Sequence, residues 1–259
     1  MDGNEQGELF DENDSAAKQR TFTDADITAL AGLYSDSGVD VSSLPPDSLR
    51  LYGLSRNAFS AVVHARMSEL SVYGETARFV RRILAAADSA GRAANAAAAA
   101  VRGRTEAAMR RAAEIAAEDS GDSDARAVYG AARKVGHEIS RLMGFLRFAP
   151  GEDGVYVAVC APDHFVLPAL GEHFKKRFGG APWGIIDAKR RIRLSYVPGR
   201  PFVLSAVREI RKASGNGRAG EWESIWRDYN KAACNDDRIN RDLQDKFVPQ
   251  RYREHMTEM

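Results

Sequence analysis

Cysteine is scarce in this chain, and its scarcity excludes several kinds of site. The 259 residues include two cysteines, Cys160 and Cys234, which lie 74 positions apart. This spacing excludes a CxxC metal knuckle and a cage of three or four cysteines around an iron–sulfur cluster. It also argues against a disulfide framework, so a reducing cytoplasm is the predicted compartment.

Long apolar runs are also missing. Nowhere do 18 apolar residues follow one another, so we expect no membrane-spanning helix. Residues 1–20 contain six acidic residues instead of a basic start and an apolar run, which is not the pattern of an export signal. We expect these residues to form a disordered acidic tail.

The net charge of +1 hides an uneven distribution of charge. Residues 1–139 hold 16 Lys and Arg against 21 Asp and Glu, whereas residues 140–259 hold 21 against 15, so the two parts carry −5 and +6. Positive charge is densest in residues 174–200, where Asp187 is the only acid. The basic residues there are Lys175, Lys176, Arg177, Lys189, Arg190, Arg191, Arg193 and Arg200. A polyanion would be attracted to this segment first.

The first part of the chain is predicted to be helical. Thr23 can cap a first helix, and three later segments repeat apolar residues at helical spacing. These segments are residues 55–70, 75–87 and 124–142. Residues 93–100 and 105–118 are rich in alanine and favour helices with little side chain to pack, so we expect these helices on the outside.

The pattern changes after about residue 140. Short apolar or alternating runs predict two hairpins, one of residues 144–148 with 155–160 and one of residues 183–188 with 191–196. A helix over residues 168–178 separates the hairpins, and a mobile loop covers residues 198–220. An amphipathic helix over residues 221–233 follows, and a last helix comes after it. The apolar face of the first of these helices is expected to pack, and it comprises Trp222, Ile225, Trp226 and Tyr229. The predicted fold class is therefore α+β, with a small antiparallel sheet in ββαββ order packed with C-terminal helices.

These segments define the expected domains. We expect the disordered tail over residues 1–20, a helical region over residues 21–140 and an α+β domain over residues 141–259, packed with the helical region as one unit. One core should join the sheet to a C-terminal helix. Its predicted members are Phe145, Leu146, Phe174, Trp183, Ile186, Leu194 and Trp226.

The same residues form a pattern that resembles a known family. In order, the pattern comprises Gly144-Phe145-Leu146-Arg147-Phe148, Pro162-Asp163-His164, Val166-Leu167-Pro168, His173-Phe174, Arg177-Phe178, Trp183, Asp187, Trp226, Arg238, Asn240, Leu243-Gln244, Pro249 and Arg251-Tyr252. It is similar to an uncharacterised prokaryotic domain described as a probable DNA metabolism protein. The match covers about the last 125 residues, and it departs from the pattern at Ser140, where a histidine is common.

The resemblance implies a context in DNA metabolism. Members of that family are typically encoded beside a putative DNA repair or modification radical SAM protein, and many are fused to a family 4 uracil-DNA glycosylase. The resemblance therefore implies an accessory protein of DNA repair or modification. Its implied partners are a radical SAM protein and a uracil-DNA glycosylase in trans, and no cofactor of its own is predicted.

Three residues are candidates for catalysis. His164 follows Pro162 and Asp163 at a junction between strand and helix, where side chains often enter a cleft. With His173 and Asp187 it could serve a hydrolase or lyase that acts on modified DNA, but an ion pair of Asp187 with Lys189 or Arg191 is the simpler interpretation. No metal is predicted, because two histidines and one carboxylate recur too often by chance.

Basic residues are the candidates for binding nucleic acid or phosphate. Arg191 and Arg193 alternate with apolar residues, so we expect them on one sheet face that continues onto the helix. Arg147 is expected in the middle of a strand, with Glu138 as its partner. The full predicted set is Arg147, Lys175, Lys176, Arg177, Lys189, Arg190, Arg191 and Arg193. Binding of DNA or RNA, catalysis, and a pure protein–protein adaptor all remain open from the sequence.

Overall fold

The computed structural model describes residues 46–96, 102–151, 154–208, 210, 218–235 and 239–256. The predicted tail and the predicted helix after Thr23 lie outside the described residues. Within the described ranges the chain is helical first and then contains a sheet followed by further helices. The predicted α+β class is confirmed.

Five helices precede the sheet, and their apolar faces pack on one another. They are α1 (Pro46–Leu54), α2 (Arg56–Met67), α3 (Tyr73–Ala96), α4 (Arg102–Ala117) and α5 (Ser123–Phe145). Ser55 caps α2 by accepting the N–H of Ala58, and Asp122 caps α5 in the same way through Ala125. One buried cluster joins the apolar faces of these helices to the sheet.

The sheet has five strands in the order β1-β2-β3-β4-β5. The strands are β1 (Ala149–Pro150), β2 (Tyr156–Cys160), β3 (Trp183–Asp187), β4 (Ile192–Tyr196) and β5 (Val203–Ala206). Helix α6 (Leu167–Phe178) lies between β2 and β3 in the chain. It packs on one sheet face, since a Cβ atom added to its Gly171 would lie 2.9 Å from Leu194 of β4.

The sheet is mixed and not antiparallel as predicted. Strands β2 and β3 run parallel, from Tyr156 opposite Trp183 to Cys160 opposite Asp187, and the other pairs are antiparallel. The reason is that α6 serves as the crossover that a parallel pair requires. The carboxyl ends of two neighbouring strands therefore meet at one edge of the sheet.

Two strand predictions were wrong in detail. Residues 144–148 do not form a strand, because α5 continues to Phe145 and only the pair Ala149–Pro150 joins the sheet. The segment predicted as a mobile loop contains β5, which pairs with β4. Prolines and glycines flank these four residues, so their extended pattern is too short to stand out from a loop.

Three helices follow the sheet in the described chain: α7 (Arg218–Ala233), α8 (Arg241–Phe247) and α9 (Gln250–Arg253). The predicted packing of the α7 stripe was wrong, because Trp222 is 44% exposed and Ile225 and Tyr229 are more exposed still. Trp226 is half-buried. Tyr252 in α9 is instead the aromatic side chain that enters the core.

None of the helices in the described ranges combines the length and the apolar character that crossing a membrane requires.

Candidate functional site

A cluster of charged residues occupies the edge of the sheet where β2 and β3 end. Arg190, in the loop after β3, donates to the carboxylate of Asp187 at 2.6 Å and to that of Glu69 at 2.6 and 3.0 Å. The same guanidinium donates to the carbonyl oxygens of Pro162 and Asp163 at 3.2 and 2.8 Å. It therefore ties three separate segments of chain together at this edge.

Glu138, in the C-terminal half of α5, binds the loop between β2 and α6 that Arg190 also contacts. Its side chain is 3% exposed, and its two oxygens accept the backbone N–H groups of Asp163 and His164, each at 2.8 Å. The hydroxyl of Tyr252 donates to the same carboxylate at 2.7 Å. Arg251 donates to that hydroxyl at 3.1 Å and pairs with Asp163 at 2.9 Å. We call the contacts of Glu138 with residues 163, 164 and 252 the Glu138 clamp.

Burial sets the electrostatics of the cluster. It lowers the pKa of His164, and nearby Glu138 and Asp163 only partly oppose this effect. Burial also raises the pKa of Asp187, while the charge and hydrogen bonds of Arg190 act in the opposite direction. Because Asp187 is fully buried and receives both the guanidinium and two backbone N–H groups, it is held as the anionic partner of an ion pair.

The predicted catalytic residues are not joined to one another. The Nδ1 atom of His164 accepts the backbone N–H of Glu69 at 3.2 Å, and Asp187 binds Arg190. His173 lies on α6 with its ring edge against Phe174, and burial lowers its pKa. No hydrogen bond, ion pair or ring contact within the described ranges connects any two of His164, His173 and Asp187.

A metal centre finds no support in the part of the chain that the structure describes. No group of three or more His, Cys, Asp and Glu side chains there is arranged to hold a metal ion. Cys160 is buried at the end of β2, and its Sγ atom lies 3.6 Å from the carbonyl oxygen of Ile186. Burial raises the pKa of this thiol well above its usual range, with Asp187 as a further cause, so the thiolate is disfavoured.

The predicted basic residues do not form one continuous surface. Lys175, Lys176 and Arg177 end α6, whereas Lys189 and Arg190 lie at the opposite end of the strands. Arg193 lies on the sheet face opposite α6, because it alternates with Leu194. Arg191 is outside β4, in the hairpin loop, with a left-handed φ of 54°.

A cleft of about 440 Å³ lies between α7, the sheet and the C-terminal segment. We call it the aromatic cleft, since its lining includes Trp222 and Trp226 of α7 together with Phe148, Tyr156 and Phe178. Its remaining lining consists of Leu146, Arg147, Ala149, Val157, Val159, Phe174, Arg177, Glu223, Arg227, Glu254, His255 and Met256.

Arginines and aromatic rings are interleaved in this cleft. The guanidinium carbon of Arg147 lies 5.2 Å from the ring centre of Trp226, and its Nη1 donates to the carbonyl oxygen of Gly144 at 2.7 Å. Arg177 and Arg227 also line the cleft, and Arg227 pairs there with Glu223 at 3.2 Å. Positive charge next to flat aromatic surfaces suits an anionic ligand that carries a ring.

The aromatic cleft was only partly predictable. Arg147 and Arg177 belong to the predicted binding set, but Arg147 follows the end of α5 instead of lying in a strand, and Glu138 is not its partner. Arg227 and Trp222 were not proposed for binding. The sequence feature that could have indicated them is the amphipathic pattern of α7. That pattern does not show whether the apolar face of the helix is buried in the core or exposed in a cleft.

The Glu138 clamp was missed as a unit. Asp163 and Tyr252 both belong to the family pattern in the sequence, but they lie 89 positions apart in the chain. A backbone N–H that binds a distant carboxylate leaves no periodic signal, so only the folded chain brings these residues together.

Comparison with known proteins gives one match. A family model described as a domain of unknown function, DUF4130, matches residues 96–258. No curated protein and no solved structure matches the chain. The matched residues include the whole sheet, the Glu138 clamp and every residue that lines the aromatic cleft.

Proposed function

The chain belongs to the family of the domain of unknown function DUF4130, and from this premise we propose that it is an accessory protein of DNA repair or modification. In this proposal it binds nucleic acid or a nucleotide in the aromatic cleft. The observation that carries the proposal is the interleaving of Arg147, Arg177 and Arg227 with Trp222 and Trp226 around one cavity.

The chemistry of the cleft supports a ligand that has both bases and phosphates. Bases stack on aromatic side chains irrespective of sequence, and each stacked base contributes about 1–3 kcal/mol. Guanidinium groups bind phosphate oxygens in pairs of hydrogen bonds. A volume of about 440 Å³ lies within the range of pockets that hold small organic ligands.

Binding is better supported than catalysis. Asp187 already forms a buried ion pair, and Glu138 and Arg190 hold the backbone around His164. Such a cluster stabilises a loop, whereas a general base must itself present a proton-accepting atom to the substrate. We therefore assign the charged cluster a structural role beside the binding cleft.

The DNA context and the partners rest on the sequence resemblance. Because the resembled proteins are encoded beside a radical SAM protein and are often fused to a uracil-DNA glycosylase, we propose that this chain presents DNA to a radical SAM partner. A uracil-DNA glycosylase acting in trans would be a second partner of the same kind. The chemical step then belongs to the partner.

Titration of the purified chain with fluorescent oligonucleotides tests the binding proposal. We expect affinity to fall steeply with salt, because phosphate contacts release counterions. Trp226→Ala should weaken binding about 5- to 150-fold, which corresponds to one lost stacking contact. Arg147→Ala should weaken it and reduce the salt dependence.

Matched variants outside the cleft serve as controls. Tyr73 on α3 is 66% exposed, and Arg133 on α5 is exposed as well, so Tyr73→Ala and Arg133→Ala remove an aromatic ring and an arginine without touching the cleft. Both should bind like the original chain. Absence of salt-dependent binding to single-stranded and double-stranded nucleic acid would overturn the proposal.

A further inference from the structure

A side chain on the open face of the sheet has an unusual position. Arg193 of β4 lies flat across β3, where its Nε and Nη2 atoms would be 2.5 and 2.8 Å from a Cβ atom added to Gly184. Any residue other than glycine at position 184 would therefore push the guanidinium away. The absence of a side chain at Gly184 allows Arg193 to rest on the sheet.

The strand register places one hydroxyl group beside this guanidinium and a second on the far side of β4. Ser205 of β5 is directly opposite Arg193, and Ser195 of β4 is directly opposite Gly184. Residues directly opposite each other share a sheet face, so Ser195, Ser205 and Arg193 all lie on the face away from α6. Among the described residues, the buried Nε of Arg193 has no hydrogen-bond partner.

This group adjoins the aromatic cleft. Val157 of β2 lines the cleft and is directly opposite Gly184 in the neighbouring strand. Adjacent strands are about 4.8 Å apart, so the cleft floor continues to the Arg193 guanidinium within one strand spacing. Val157, Gly184 and Ser195 lie directly opposite one another on successive strands, and the next residue in this row is Val203 of β5, which is 55% exposed.

A guanidinium with a neighbouring hydroxyl is a donor set for phosphate. Arginine offers paired N–H donors in a plane, and serine hydroxyls are common phosphate contacts in nucleic-acid complexes. No carboxylate forms an ion pair with Arg193 in the part of the chain that the structure describes. Its charge is therefore available to a ligand.

We propose that Arg193 and Ser195 form a phosphate subsite that extends the aromatic cleft, so that the ligand is a single-stranded oligonucleotide and not a mononucleotide. This proposal rests on the proposed function, because the first base stacks in the aromatic cleft. The next phosphodiester along the strand crosses from Val157 to Gly184 and binds Arg193. Phosphodiesters of DNA and RNA share this chemistry.

Length dependence of binding tests the subsite on the full chain. The affinities of thymidine monophosphate and of thymidine di-, tri-, tetra- and hexanucleotides are compared, with the matching uridine series as the RNA arm. For the original chain we expect a gain of at least about tenfold between the mononucleotide and the trinucleotide, since a charge-assisted phosphate contact is added. Arg193→Ala should bind the mononucleotide like the original chain and lose this gain.

Gly184→Ala tests whether the position of the Arg193 guanidinium, and not only its charge, is needed for phosphate binding. The added Cβ atom displaces the flexible end of Arg193 but leaves the net charge unchanged, so this variant should also lose the gain with length. Arg133→Ala is the matched control that removes an exposed arginine elsewhere. Circular dichroism and thermal melting verify that each variant folds.

The outcomes separate the subsite from the binding proposal. If the original chain binds none of these ligands, both proposals are overturned. If Trp226→Ala weakens binding but Arg193→Ala and Gly184→Ala retain the full gain with length, only the subsite is overturned. A gain lost in both variants for the thymidine series, the uridine series or both supports it.

Discussion

Glu138 shows how one buried charge can organise distant parts of the chain. A carboxylate without partners is costly to bury, but its two oxygens here receive two backbone N–H groups and the hydroxyl of Tyr252. The two N–H groups belong to the loop that connects β2 to α6. Glu138 therefore fixes the backbone of His164 independently of its imidazole side chain.

Removal of the Glu138 side chain should destabilise the protein strongly. Glu138→Ala leaves buried N–H donors unpaired, so we expect the free energy of unfolding in urea to fall by about 3–5 kcal/mol. Tyr252→Phe removes only one bond to a charged acceptor and should cost about 1.5–3 kcal/mol. Ser140→Ala, an exposed change on the same helix, is the control. A loss below about 1 kcal/mol for Glu138→Ala would contradict the structural role of the clamp.

At the scale of elements, the two faces of the sheet differ in how they are covered. Helix α6 packs Phe174 against Trp183 and Gly171 against Leu194, so this side is part of the core. Helix α7 has no buried residue among its described side chains, even though its sequence is amphipathic. Trp222 and Trp226 of α7 therefore line the cleft, whereas Ile225 and Tyr229 are exposed outside it, and the helix contributes no buried face to the core.

The contrast between two tryptophans tests this difference. Trp183 is 0% exposed, so Trp183→Ala should lower the free energy of unfolding by about 3–5 kcal/mol. Trp226 is half-buried, and Trp226→Ala should cost only about 1–2 kcal/mol, mainly through its contact with Arg147. Denaturant unfolding of both variants measures the difference. Equal losses would show that α7 packs as tightly as α6.

Helices were predictable from the sequence, but strand partners were not. The stripe of Phe79 and Ile83 on α3, and that of Val135 and Ile139 on α5, repeat with a period that only one buried helix face explains. The parallel pairing of β2 with β3 depends instead on where α6 returns the chain. Local alternation is identical for parallel and antiparallel partners, so it could not decide between them.

At the scale of the whole molecule, folding separates charges that the sequence groups together. The basic residues 175–177 and 189–193 are near neighbours in the chain, yet they occupy the two ends and the far face of the sheet. Arg190 forms ion pairs with Glu69 and Asp187. The cleft is lined instead by Arg147 and Arg177 together with Arg227, which belongs to α7. The dense basic segment of the sequence therefore includes one residue that lines the cleft, Arg177. It does not show how folding distributes the other basic residues.

The pH dependence of stability is also a property of the whole molecule. Burial is the main cause that lowers the pKa of His64, His164 and His173, so the unfolded chain binds more protons than the folded chain below about pH 6.5. Stability should therefore be fully present above that pH and decrease as pH falls through the lowered values.

Urea unfolding between pH 7.5 and 5 measures this decrease. His64→Gln should reduce the slope, because one buried titrating group is removed, whereas His137→Gln changes an exposed position on α5 and is the matched comparison. A stability that stays constant over this pH range would contradict the burial of these rings.

The span of the Glu138 clamp has a consequence for the order of folding. The bonds from Glu138 to residues 163 and 164 close loops of 25 and 26 residues, whereas the bond to Tyr252 joins residues 114 positions apart. Long loops close later than short ones, because more chain entropy is lost before the contact forms. During synthesis on the ribosome, Glu138 can therefore hold the loop after β2 well before Tyr252 has been translated. The aromatic cleft gains its C-terminal wall, from Glu254 to Met256, only when this last contact has formed.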